Sequence, residues 1–442
     1  MNNRIVFFSK TFSNRLHYVI QLVLTDTLGL DVFFTSDPTI FINTTLPKIN
    51  YNNEPISDVE FFIKSSHLLF EKKIEKQAFD ANSWDSLDGL AKIFILVTRY
   101  EEYTADPSVL DAHGRFPAKA SLNFELNFLR QPVVNQWIMN LKKELNEKYP
   151  SLEMTTPQYL FQPTYDIDQA WAFKNKGWLR NFGGFFKALL SLKWNETVER
   201  FLVVISYKND PEHTFEYLEK LHKTHNLNPI FFWLLGDYST YDKNIDWQNK
   251  NFQRLIRKIA AQYRVGIHPS YQSNSDFGAL KNEIHRLETI VKDNAPPQYL
   301  GFKTTKISRQ HYLKLTFPET YRNLIAAGIS EDYTMGYADD IGFRAGIATP
   351  YFWYDLEQEQ ATNLKIHPFA FMEVTIKDYL RLSPEEALVQ VRPLIEATKE
   401  VGGTLITLWH NSTLTDSKAT DETGSNWAGW RRVYESILEL AK

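Results

Sequence analysis

The chain has no cysteine in its 442 residues. That absence excludes disulfides, zinc–thiolate centres, iron–sulfur clusters and thiol nucleophiles, and it confines any metal to histidine, carboxylate or other oxygen ligands. Long apolar runs are also missing. None reaches the ~18 residues that a membrane-spanning helix needs. Lys10, Arg15 and His17 interrupt the N-terminal stretch where a secretory signal would carry its apolar core, so a cytoplasmic protein is expected. Neither sign of charge dominates, because 49 Lys and Arg stand against 53 Asp and Glu. With no basic stripe to track a phosphate backbone, nucleic acid is not an expected partner.

What the chain does contain is enough for a large core: 43% hydrophobic residues, with 14% aromatic. Its length fits two or three domains at ~100–200 residues each. Residues 4–8 and 31–35 read as strands around a helix over about 14–29, the start of a small α/β module. An amphipathic stretch follows around Leu90–Tyr103. Val133, Val134, Trp137, Ile138 and Leu141 then recur at helical spacing and predict a helix over about 132–147. The polar, proline-bearing "PSLEMTTP" (150–157) reads as a linker. The expected division is a smaller N-terminal α/β domain over 1–155 and a C-terminal domain over 156–442.

Strands and helices alternate beyond the linker. Strands are expected at 159–165, 228–235, 264–267, 329–334 and 404–409, and helices at 214–224, 251–262, 276–292 and 319–328. Ser383, Pro384 and Glu386 form a capping box that opens one more helix, which runs to Gly402-Gly403. Repeated helix–strand units imply parallel strands with right-handed crossovers. About seven of them predict a distorted (β/α)7-type barrel, closed or nearly closed.

Such a barrel carries its chemistry where strands end. Asp166 and Asp168 follow the first predicted strand of this domain, His268 follows 264–267, and His410 follows 404–409. Only 11 histidines occur in the chain, and two fall directly after predicted strands. Two acids and two imidazoles at one mouth suit a divalent cation, a general base and a general acid. Each also has a structural use: an aspartate opens a turn, His268 closes a strand before Pro269, and His410 packs near the core. Glu373 is a further acid at a predicted strand end.

In "YADDIGFRAG", Asp339, Asp340 and Arg344 are the polar members. Arg344, between Gly342 and Gly346, suits a carboxylate or sugar hydroxyls. The run Tyr351, Phe352, Trp353, Tyr354 either stacks on sugars or fills a core. Arg99, Glu101, Glu102, Asp111, His113 and Arg115 form a polar cluster that is expected to pack between the domains.

"TYDID" (164–168), "HPSY" (268–271), "SRQHY" (308–312) and "LITLWHN" (405–411) resemble, in this order, the motifs of the polysaccharide deacetylase (NodB-homology, carbohydrate esterase family 4) superfamily. "LVTRYEEY", "DAHGRF" and "RQPVVNQW" are similar to a divergent branch in which an N-terminal domain of unknown function precedes the barrel. The resemblance implies metal-dependent removal of an N- or O-acyl group, acetyl foremost, from a carbohydrate. Asp166 would be the base, Arg309 its orienting partner, and His410 the general acid. Asp168, separated by Ile167 from a base it usually adjoins, would be a metal ligand beside His268. Gln272 stands where the motif usually has a second histidine, which argues against a standard site, and His311 is the replacement expected. The metal would be divalent, zinc foremost. Leu408 would wall the acyl pocket, with Tyr271, Arg344, Asp340 and Trp409 completing the substrate-binding set. The alternative is a degenerate barrel that binds a glycan or an anionic sugar without turnover.

Overall fold

The computed structural model describes residues 2–75, 81–176, 194–292, 306–415 and 426–442. Strand β1 (Arg4–Phe8) carries the buried apolar run Ile5–Phe8. It pairs in parallel with β2 (Asp31–Thr35) and β3 (Lys48–Asn52), and β3 pairs with β4 (Phe61–Lys64), giving a four-stranded sheet in the order β2-β1-β3-β4. Helix α1 (Asn14–Ile20) is capped by Ser13, whose side chain accepts from the Leu16 N–H. It does not run on as a plain α-helix to residue 29 as expected. It widens into a π-helix over Gln21–Thr27, where the Thr27 hydroxyl donates to the Leu22 carbonyl at 2.7 Å and loosens the ladder. Helix α2 (Gly89–Thr98), capped by Asp88, touches α1 and α3 (Val133–Lys148).

The second sheet is built from β5 (Leu160–Ile167), α4 (Phe215–His225), β6 (Ile230–Leu234), α5 (Lys250–Ala260), β7 (Arg264–His268), α6 (Phe277–Lys292), β8 (Ile307–Ser308), α7 (Glu319–Ala326), β9 (Glu331–Asp332), β10 (Tyr351–Asp355), β11 (Gln360–Ile366), β12 (Phe371–Met372), α8 (Pro384–Glu400), β13 (Thr404–His410) and α9 (Trp430–Leu440). The capping box of α8 forms as expected. Nine strands lie in the order β10-β11-β9-β8-β7-β6-β5-β13-β12. Every pairing is parallel except that of β10 with β11.

Among the described residues this sheet does not close, and β10 and β12 are its edges. The closed barrel expected from the repeating units is not reached, for two physical reasons. Strands β8, β9 and β12 are only two residues long, too short to carry a continuous ladder around a ring. After β9 the chain makes a β10–β11 hairpin instead of another helical crossover.

Side chains alternate across each strand, and this sets the layers. Tyr165, Ile167, Phe231, Trp233, Val265, Leu405 and Trp409 face the helices. They belong to a large apolar cluster continuous with Ile5, Phe7, Leu16 and Val19 of the first sheet. On the opposite face Ile230, Phe232, Ile307, Ile406 and Leu408 pack with Phe369 and Met372 in a smaller cluster of their own. Gly266 lies on this inner face, where a Cβ would come within 2.8 Å of Phe232 and 2.7 Å of Ile307. One step further along the same face, at the C-terminal strand ends, stand Asp166, His268 and His410.

Candidate functional site

Strand register places Asp166 directly beside His410, and pairs Leu234 of β6 with His268 of β7. Arg309 follows β8, its N–H bonded to the Ile267 carbonyl at 3.1 Å. Its guanidinium donates to Asp166 Oδ1 at 2.9 Å and to the Tyr333 carbonyl at 2.9 Å, and lies 4.6 Å over the Phe232 ring. Both members of this ion pair are buried. The carboxylate is thereby fixed in place with its charge answered.

Three ligand-type side chains converge next to it. One atom each from Asp168, His268 and His311 lie within 4.8 Å of one another. His268 Nε2 is 3.4 Å from Asp168 Oδ1, and His311 Nε2 is 3.7 Å from Asp168 Oδ2. Each imidazole has its other nitrogen occupied: His268 Nδ1 lies 2.5 Å from the Arg309 carbonyl, and His311 Nδ1 lies 2.8 Å from Asp242 Oδ1. Ligating histidines are usually held in this way, by a carboxylate or carbonyl behind the ring. Asp168 Oδ1 is buried with no hydrogen-bond partner, an orphaned acceptor at the centre of the cluster. One carboxylate and two imidazoles, oriented so, fit a divalent cation such as zinc.

The charges here are strongly coupled. Burial pushes the Asp168 carboxyl up, but the cationic His311 and His410 and the adjacent His268 outweigh it and hold the group well below the usual carboxylate range. Burial lowers His311, yet the carboxylates of Asp168 and Asp242 on its two nitrogens raise it to about 9. Gln272, at the position where a histidine is usual, is exposed on a short 3₁₀ turn after β7, outside the cleft.

His410 completes the group. Glu373 Oε1 lies 2.8 Å from its Nδ1 and also accepts from its backbone N–H at 2.8 Å and from the Thr413 hydroxyl at 2.9 Å. Glu373 is fully buried. The far nitrogen, Nε2, is thereby aimed toward Asp168 Oδ2, 3.7 Å away. Burial alone would lower His410, but the Glu373 charge raises it to about 10. Such a ring is held protonated, as a proton donor must be.

All six of Asp166, Asp168, His268, His311, His410 and Arg115 line one cleft of about 390 Å³. A somewhat larger cavity of about 460 Å³ lies between the π-helix and the β10–β11 hairpin, and none of those six side chains lines it.

Other expected binding residues lie elsewhere. Arg344 is buried, its Nη2 2.5 Å from Glu102 Oε2 and its Nε 3.0 Å from Glu102 Oε1. It joins the N-terminal region to the second sheet and does not reach the cleft. Asp340 pairs with Arg130 at 2.7 Å. Leu408 is on the correct face but one alternation deeper, in the packed floor. Trp409 points to the helix side, 4.9 Å from the Tyr434 ring. Tyr351, Trp353 and Tyr354 are buried in β10 and so fill the core. Tyr271 stands behind the cleft wall, stacked 4.2 Å from Tyr241, which does line it. Asp242, Tyr241 and Tyr379 carried no sequence signal, because none follows a predicted strand or falls in a quoted motif; Tyr312 falls in "SRQHY" but has no role implied there.

The class defined so far is an α/β protein with a buried aspartate–arginine pair, an Asp-His-His cluster and a Glu–His pair at the ends of parallel strands. Comparison adds little to this. Residues 5–150 match a family of unknown function (DUF7033). No curated protein matches the chain. Among solved structures, a GH138 enzyme targeting pectin rhamnogalacturonan II aligns at 10% identity and a TM-score of 0.19 over 99% of this chain. The chain spans about half of that one, 51%. A likeness of that size carries no argument about fold or chemistry. No helix among the described residues is long and apolar enough to cross a membrane.

Proposed function

We propose that the chain is a metal-dependent hydrolase that removes an N- or O-acyl group, acetyl foremost, from a carbohydrate. It would do so as a distorted, open relative of the polysaccharide deacetylase barrel over residues 156–442, behind an N-terminal α/β domain. The observation that carries this reading is the convergence at one cleft of three groups: Asp166 held by Arg309 behind it, Asp168 with His268 and His311, and His410 held by Glu373 behind it. Asp168, His268 and His311 would hold the cation. When bound, a divalent metal supplies Lewis acidity that polarises an acyl carbonyl and acidifies water. Asp166, kept in place by Arg309, accepts the proton from the attacking water. His410, kept protonated by Glu373, donates a proton to the departing amine or hydroxyl oxygen.

The test is acetate release from N- and O-acetylated oligosaccharides by zinc-loaded protein, with metal content measured in parallel. Asp166→Asn and His410→Ala are expected to retain zinc and lose activity by roughly 10²-fold or more. Asp168→Ala is expected to lose both. Zinc binding with saccharide binding but no acetate release would leave the non-catalytic alternative standing in its place.

A further inference from the structure

One residue of the cleft comes from the region before the second sheet. The loop Asp111–Phe116 is braced internally, with Asp111 Oδ1 accepting from the N–H groups of His113 at 2.8 Å and Arg115 at 2.9 Å. Arg115 leaves it nearly buried, 7% exposed. Its Nε donates to Asp111 Oδ2 at 2.7 Å, its Nη1 to the Tyr312 carbonyl at 3.0 Å, and its Nη2 to the Tyr379 hydroxyl at 3.0 Å. Tyr312 lies in the turn after β8, and Tyr379 ends the π-helix Thr375–Tyr379 that follows β12. Strands β7, β6, β5 and β13 separate β8 from β12 in the sheet. Among the described residues no ladder joins the two walls, and the Arg115 guanidinium bridges them.

The wall it holds is conformationally costly. Tyr312 and Leu313 are successive non-glycine residues in the left-handed region, at φ +61° and +53°. Such strain persists only where surrounding contacts enforce it, and it concentrates at ligand sites. Here the contacts include the Arg115 bond to the Tyr312 carbonyl and the His113 ring, 4.9 Å from the Tyr312 ring, beside the rings of Tyr271 at 5.2 Å and Tyr241 at 5.7 Å. Tyr312 lines the cleft together with Tyr379, Tyr241 and Trp427. Aromatic faces of this kind are what the apolar face of a pyranose ring packs on.

We infer that the Asp111–Phe116 loop is part of the substrate cleft, with Arg115 as a positioning residue that ties the Tyr312 and Tyr379 walls into one sugar-binding slot. The N-terminal region thereby governs which glycan enters a site whose reacting groups all come from the second sheet. This rests on the carbohydrate reading above. It also explains why the open sheet still encloses a cleft.

The experiment compares native full-length protein with Arg115→Ala and Arg115→Lys, all zinc-loaded. In Arg115→Ala, hydrogen exchange across 310–315 and 375–380 rises roughly tenfold or more, while peptides from α5 and α8 keep native rates. On the acetylated oligosaccharide that native protein cleaves best, KM rises roughly tenfold or more with kcat within about threefold. Arg115→Lys, able to reach one wall, falls between. Unchanged exchange at both walls, a loss of kcat at unchanged KM, or faster exchange throughout the chain overturns the inference. If native protein releases acetate from no oligosaccharide, the deacetylase reading fails on its own. Calorimetric binding of the same oligosaccharides then decides: weakening of roughly tenfold or more in Arg115→Ala sustains the clasp, and equal or undetectable binding in both proteins overturns it.

Discussion

Replacing Asp242 by asparagine isolates the role of His311. Asp242 Oδ1 lies 2.8 Å from His311 Nδ1 and accepts from the Tyr271 N–H at 2.8 Å, while Oδ2 is 2.9 Å from the Ser239 hydroxyl. Asparagine keeps an acceptor of the same size in this buried corner, so the loop survives where alanine would open it. What is lost is the negative charge behind the ring. A carboxylate in that position is worth ~10–100-fold in metal affinity, or ~1.4–2.7 kcal/mol.

Proton competition opposes this loss. His311 is raised to about 9 in the metal-free chain by Asp168 and Asp242, so at pH 7 a metal must displace a proton at a cost of about 2–3 kcal/mol. Removing the Asp242 charge relieves part of that cost at pH 7 and none of it above pH 9, where the ring is already neutral. The deficit of Asp242→Asn is therefore expected to be smaller at pH 7 than at pH 9. Zinc affinity measured by chelator competition at pH 7, 8 and 9 reads both effects. Equal affinity of variant and native protein at all three values, with Asp168→Asn unable to bind, would refute the assignment of His311 as a ligand.

Arg309→Met leaves Asp166 buried without its partner and is expected to destabilise the fold by about 3–5 kcal/mol in urea denaturation. The double variant with Asp166→Asn should recover part of that loss, and strict additivity of the two would show that the pair does not interact. His222, buried 2.7 Å from the Tyr165 hydroxyl, is pushed down to about 3 by burial. Its folded value lies below the unfolded one, so its contribution is complete above about pH 6.5 and is lost as pH falls toward 3, amounting to roughly 4–5 kcal/mol. His222→Phe should flatten stability between pH 6.5 and 4, and an unchanged slope there would remove His222 as the cause.

The positions of Asp166, Asp168, His268 and His410 were legible in the sequence because each stands at or just past the end of an apolar strand, and a parallel sheet presents its strand ends together. The amphipathic helix at 133–148 and the capping box at Ser383 were legible for the same local reason. Trp409 was misplaced although its correct side was readable. In Leu408-Trp409-His410, strict alternation sends Trp409 to the opposite face from His410. Strand β8 was too short to leave a periodic signal, and the strands expected over 329–334 and before Glu373 form only as the two-residue β9 and β12. No local pattern showed that shortness, which leaves the sheet open.

Sequence alone determined which residues stand at strand ends, since that depends on periodicity over a few neighbours. Tertiary structure alone decided partners. Arg344 and Arg115 are both arginines near glycines in polar loops, yet one is locked against Glu102 in the interior and the other spans the cleft from Tyr312 to Tyr379. The same holds for Asp242 behind His311 and Glu373 behind His410. Pairings across such stretches of chain depend on how the whole sheet curls, and no local pattern encodes that.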